Sequence, residues 1–268
     1  QTLCKNTTGA NNTAVGSCSL EANTTADGNV AVGFESLKTN TTGARNIGVG
    51  VESLCSNTTG ARNIAIGYEA MCKNTEGSDN TAFGTNSLFS NTTASNNTAL
   101  GRSALFANTT GSENVAVGLC ALTANTTGAQ NTALGFCALR TNTTCGNLTA
   151  VGACALQSNS TGTNDTAMGH ASLDANTSGS DNVGFGTNTL GSNTSGGNNT
   201  AIGSCALQAN TTASNNTAVG LRAGLAITTG YQNTALGQNA LDSTTTANHN
   251  TAIGATTLAA NTTGYANT

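Results

Sequence analysis

A glycine recurs at every seventeenth position from Gly16 to Gly254, through 33, 50, 67 and onward, with no insertion or deletion. Each one closes a short unit: Asn12-Thr13-Ala14-Val15-Gly16, then Asn29-Val30-Ala31-Val32-Gly33, then Asn46-Ile47-Gly48-Val49-Gly50. A period of this length, kept without slippage, marks a stack of short structural repeats rather than an ordinary globule. Seventeen residues are too few for a helix pair, and no 3.6-residue periodicity is present.

The repeat Asn12 to Gly28 sets the expected rung. The Thr13 position is Thr, Val or Ile, and the Val15 position is Val, Ile, Leu, Met or Phe, as at Ile66, Phe83, Met168 and Phe185. Both favour strands, and two residues apart they share one face. Ala14 between them is Ala or Gly in every copy, which marks a close neighbour. A second short strand is expected to end at Leu20, and Asn23-Thr24-Thr25 supplies turn chemistry. The fold class predicted is all-β, a left-handed parallel β-solenoid (β-roll) with 17-residue rungs, the hand following from a resemblance described below. Residues 1–268 form a single repeat array of about 16 rungs. At about 4.8 Å per rung, the rod is roughly 75 Å long. The Val15 and Leu20 columns are expected to point inward. Because Gln1 enters in mid-repeat and Thr268 leaves in mid-repeat, the chain reads as a piece of a longer array or a filament subunit.

Two large apolar side chains per rung make a thin core, and thin cores need further support. Asparagine is one source. The Asn12 position is Asn except at Leu148 and Asp165, and the Asn23 position is Asn except at Ile227 and Thr244. Stacked amides can hydrogen-bond along the rod as in cross-β ladders. Cysteine is another. Cys18, Cys120, Cys137, Cys154 and Cys205 share one column, while Cys4, Cys55 and Cys72 share a second. Two readings stand: a disulfide ladder through Cys55, Cys72, Cys120, Cys137 and Cys154 in an oxidising compartment, or small buried apolar side chains. Nine is an odd number, so at least one thiol is free or pairs with another chain. The third support is self-association, with the Ala14 column as a place where identical chains approach. Around Leu221 to Ile227 the stack is expected to be weak. There Gly224 replaces the core Leu, and Leu225 and Ile227 are expected to swing inward with a local shift of register.

Composition narrows the function. Charged residues are 7% and the net charge is −4, which gives no electrostatic case for nucleic acid. No apolar run approaches the ~18 residues of a membrane helix, so no membrane insertion is expected. No charged-then-apolar leader opens the chain. His170 and His249 lie in different columns with no local catalytic motif, and the glycines are a column rather than a phosphate loop, so no enzyme activity and no cofactor are expected. Nineteen Asn-x-Ser/Thr sequons occur, among them Asn6, Asn23, Asn40, Asn57, Asn91, Asn108, Asn125 and Asn142. The turn itself explains most of them; as glycan acceptors, the Asn23 column is the better candidate. Glu35, Glu52 and Glu69 stack as a solvated stripe or a cation site, with Arg45 and Arg62 in the intervening turns to offset them. Phe89 and Phe106 read as rung-to-rung packing.

The motif N-T-A-x-G-x-x-A-L-x-x-N-T-T-G resembles repeats of bacteriophage tail-fibre proteins. It is also similar to the head repeats of trimeric autotransporter adhesins, where N-S-V-A-I-G recurs at a shorter period. The adhesin resemblance implies a left-handed parallel β-roll with three chains packed together. The expected function is a structural extracellular fibre, a β-solenoid shaft that self-associates laterally or end to end. The alternatives are an adhesin or phage receptor-binding fibre, whose partners would be glycans or cell-surface receptors, and an ice-binding protein. Adjacent Thr24 and Thr25 point to opposite faces, and an ice face wants Thr-x-Thr, which weighs against the last.

Overall fold

The computed structural model describes every residue from Gln1 to Thr268. It is all-β, with one three-residue strand per rung, from β1 (Thr13–Val15) and β2 (Val30–Val32) to β15 (Thr251–Ile253). The chain forms two compact units, Gln1–Asn131 and Thr132–Thr268. The first holds the strands through Val115–Val117, and the second holds those from Thr132–Leu134 onward. Within each unit neighbouring strands are parallel and offset by one repeat. Thr13 lies opposite Val30 and Val15 opposite Val32 in the first, and Thr132 lies opposite Thr149 in the second. Each unit is thus a parallel β-solenoid of 17-residue rungs.

Two local expectations are corrected. The segment from Gly16 to Leu20 is not a second strand. Its backbone alternates in sign: Gly16 has φ 126°, Cys18 58° and Leu20 48°, and the same three positions repeat in later rungs. Residues with positive φ at every second place coil the chain into turns, although rung-to-rung bonds persist, as from Leu20 N to Ser36 O at 3.1 Å. The glycine is obligatory at the corner. A Cβ on Gly67 would lie 2.5 Å from the carbonyl oxygen of Gly84 in the next rung.

The second correction concerns which side of the strand faces inward. Ala31, Ala65, Ala82 and their equivalents are fully buried, whereas Phe83, Phe185 and Val15 are more than half exposed. The Val15 column points outward, and the Ala14 column fills the core. The cause is the narrowness of the rung. A Cβ added to Gly48 would meet Ser36 Oγ at 2.6 Å, so the close neighbour of the Ala14 column is its own chain, not another molecule. Ser36 and Ser53 occupy the space that Gly48 leaves, bonding to each other at 2.9 Å, and Ser36 donates to the Gly48 carbonyl at 3.0 Å. A lumen this tight accepts Ala on the strand and keeps its large apolar slot for Leu20, Leu37, Leu54 and the column onward to Leu241, which are fully buried as expected.

The exceptional rung at Gly224 keeps the regular register. Thr217 still pairs with Thr234, and Gly224 N bonds Ala240 O at 2.8 Å. Ile227 turns inward and is fully buried, with its Cδ1 3.0 Å from where a Gly224 Cβ would stand. Leu225 remains half-buried. One inward side chain substitutes for another, so no shift is needed.

Candidate functional site

The surface has no pocket, and the residues with chemical character are arranged in columns. The two asparagine columns are internal. Asn57 Nδ2 donates to Asn40 Oδ1 at 2.8 Å and to the Gly60 carbonyl at 2.9 Å, while its Oδ1 accepts from Asn74 Nδ2 at 2.7 Å. One side chain thus closes its own turn and links three rungs. In the Asn12 column the side-chain oxygen caps the next rung's backbone, as Asn46 Oδ1 accepts from Asn63 N at 2.9 Å. The amide of Asn46 reaches Gly60 O at 2.8 Å. In the second unit the ladder continues, for example from Asn193 to Asn176 at 2.9 Å.

This arrangement bears on the sequons. Asn23, Asn40, Asn57, Asn91, Asn108, Asn125 and Asn142 are fully buried, and Asn6 is half-buried. The Nδ2 that a glycan would require is turned into the rung, so the folded column is closed to modification at the buried positions.

Asp165 stands in the Asn12 column and is fully buried. Its Oδ1 accepts from Asn182 N at 2.8 Å and Asn182 Nδ2 at 3.1 Å, and its Oδ2 accepts from Asn176 Nδ2 at 3.0 Å. Desolvation nevertheless pushes its pKa up to about 7, the three donated hydrogen bonds opposing the shift only in part.

The outward strand face is the largest apolar feature. Phe83, Leu100, Phe185, Ile202 and Leu236 are all exposed on the Val15 column, and beyond the glycine corner so are Phe34, Val51, Tyr68, Leu119 and Phe136. In the second unit the first strand position is mostly Thr: Thr132, Thr149, Thr166, Thr200, Thr217 and others. The Thr24 column is different. Thr41 Oγ1 donates to Thr58 O at 3.0 Å, so its hydroxyl belongs to the rung.

No disulfide is formed, so of the two readings of the cysteine columns the ladder through Cys55, Cys72, Cys120, Cys137 and Cys154 is the one the structure does not take. Identical residues stacked in register have parallel Cα–Cβ bonds, with Cβ atoms about one rung, ~4.8 Å, apart. A disulfide wants them nearer, at ~3.5–4.5 Å. Cys55 and Cys72 come together all the same, with Sγ atoms 2.6 Å apart and Cys55 Sγ 3.3 Å from the Cys72 carbonyl. Glu52 joins them: its carboxylate and the two sulfurs lie within 4.8 Å of one another. The hydrogen bond from Cys72 brings Cys55 down to about 7, and the same bond, with burial, holds the Cys72 proton well above the usual thiol range. The pair therefore gives up one proton readily and keeps the second.

The other singled-out residues are placed as follows. Glu35 is held by Lys38 at 2.8 Å, and Arg62 turns to Asp79 at 2.6 and 2.7 Å rather than to the glutamate column. Phe89 and Phe106 stack with centroids 5.2 Å apart, and Lys73 caps the Phe89 ring at 4.9 Å. His249 meets Tyr231 edge-on at 5.3 Å. No helix is long and apolar enough to cross a membrane. Comparison with family models, with curated proteins and with solved structures gives no match.

Proposed function

We propose that this chain is a structural extracellular fibre protein, a β-solenoid shaft that associates with copies of itself. The observation that carries this reading is the outward Val15 column. A strand that puts Ala inside and Phe83, Leu100, Phe185 or Ile253 outside spends its largest apolar side chains on the surface. Exposed apolar surface that continues from rung to rung marks an interaction face. The amide columns make their hydrogen bonds inside the rung, as Asn57 does with Asn40, Asn74 and Gly60, and leave the outward face apolar and available for lateral contact. The extracellular setting rests on the resemblance of N-T-A-x-G-x-x-A-L-x-x-N-T-T-G to fibre repeats.

Electron microscopy of natively isolated material tests the reading. Continuous filaments or laterally bundled shafts support it; discrete trimers on a phage or cell surface favour the adhesin reading. Ice binding has one observation in its favour, the outward Thr132, Thr149 and Thr166 at successive rungs. Beside them, however, stand Leu134, Val151 and Met168, whose unequal lengths break a flat surface. A thermal-hysteresis assay is expected to show none.

A further inference from the structure

We infer that Glu52, Cys55 and Cys72 form a binding site for a thiophilic divalent cation such as Zn²⁺, independent of the fibre reading. The local backbone builds it. Glu52 and Leu54 both hold left-handed φ, 55° and 52°, so the chain curls between Glu52 and Cys55 and returns the carboxylate to the thiol three residues on. The repeat then stacks Cys72 over Cys55. The result is one oxygen and two sulfurs within 4.8 Å of one another, with Cys72 buried and the other two half-buried.

Tetrahedral Zn²⁺ with Zn–S near 2.3 Å and Zn–O near 2.0 Å places its ligand atoms about 3.5–3.8 Å apart. The two sulfurs stand 2.6 Å apart, so their side chains must rotate to open that separation by about 1 Å for both to bind one ion. The flanking charges agree. Glu35 and Glu69 continue the column on either side of Glu52, and both act on Cys55 or Cys72 as negative neighbours. Lys38 is tied to Glu35, and the Lys73 ammonium lies over the Phe89 ring. Binding releases the two thiol protons to solvent as two metal–sulfur bonds form. No electrons move, so no oxidant is required. Three protein ligands leave the fourth position to water.

The test is Cd²⁺ titration of the reduced, metal-free full chain. The expected result is thiolate-to-metal charge-transfer absorption that saturates at one Cd²⁺ per chain and is lost in C55S/C72S. E52Q should weaken binding by about tenfold or more. Alkylation of the wild-type chain gives a readout that needs no variant: Zn²⁺ should slow modification of Cys55 while exposed Cys4 reacts at an unchanged rate. The inference is overturned if reduced chain shows no such absorption, or if the absorption survives C55S/C72S. It is also overturned if chain refolded with Zn²⁺ is recovered two hydrogens lighter, with Cys55 and Cys72 in one cross-linked peptide.

Discussion

Leu20 and its equivalents supply most of the large side chains in the lumen, joined by Leu148 and Ile227, and each Leu or Met of the Leu20 column holds a left-handed backbone with φ between 48° and 54°. A bulky L-residue there costs roughly 1–2 kcal/mol, which the stack must offset by burying it. The position explains Gly224, which adopts φ 61° without that cost but leaves the lumen to Ile227. The substitution has its own cost. Ile227 carries no amide, and Asn210 Oδ1 in the rung before it is buried without a partner. Gly224→Leu alone should collide with Ile227 and Leu207, while Ile227→Asn alone should pair Asn210 but leave a void. Each single change should lower the thermal midpoint, and the double variant G224L/I227N should meet or exceed wild type. Two singles that add to a still less stable double would contradict this account of the rung. Asp165 gives a pH prediction. Its folded pKa is raised to about 7 from 3.8, so the folded state binds the proton more tightly than the unfolded chain does. Its penalty is therefore absent below about pH 4, grows as pH rises, and is complete above about pH 7. Asp165→Asn should stabilise by roughly 2–4 kcal/mol at pH 8 and by little at pH 4. Chemical denaturation at the two pH values checks it, and an equal gain at both would remove the carboxylate as the cause.

Besides the parallel backbone ladder, two features hold one rung on the next. The first is the glycine corner: Gly67→Ala would force a Cβ into Gly84 at φ 141°, and should cost roughly 2–4 kcal/mol in denaturant unfolding. The second is the amide ladder: Asn57→Ala strands the Asn40 oxygen and removes one of the two bonds at the Asn74 amide and at the Gly60 carbonyl, with an expected loss of roughly 1–3 kcal/mol. Hydrogen exchange should show protection lost first at the turns flanking residue 57. Both contacts were legible from the sequence, because a glycine that is never replaced, and an asparagine replaced only at Leu148, Asp165, Ile227 and Thr244, keep one register throughout and mark positions with a fixed structural task. The direction of the strand was not. Size and hydropathy point Val15 inward, and only the width of the lumen reverses that. A subtler signal was present: the Ala14 column and the Ser19 column are both restricted to small residues, as two columns facing each other across a tight gap must be. The missing second strand was also foreshadowed. The Leu20 column uses Leu, Met and Gly but never Val or Ile, and β-branched side chains are the ones a left-handed backbone rejects. The meeting of Glu52 with Cys55 and Cys72 had no such signal, since it depends on how the turn curls.

At the scale of the whole molecule, the internal and external faces of the rung divide the labour. Amides and one Leu per rung, closed on themselves, hold the fold, and the outward column meets the surroundings. On the proposed function, this outward column drives association of the chain with itself. The most direct test is sedimentation velocity on natively folded wild type beside a variant carrying Phe83→Lys and Phe185→Lys, two exposed positions whose change leaves the lumen untouched. Multimers are expected for the wild type, and for the variant a 26.3 kDa monomer with the same β-sheet circular dichroism. A wild-type chain that stays a folded 26.3 kDa monomer at high concentration, or a variant that assembles as well as wild type, would contradict it.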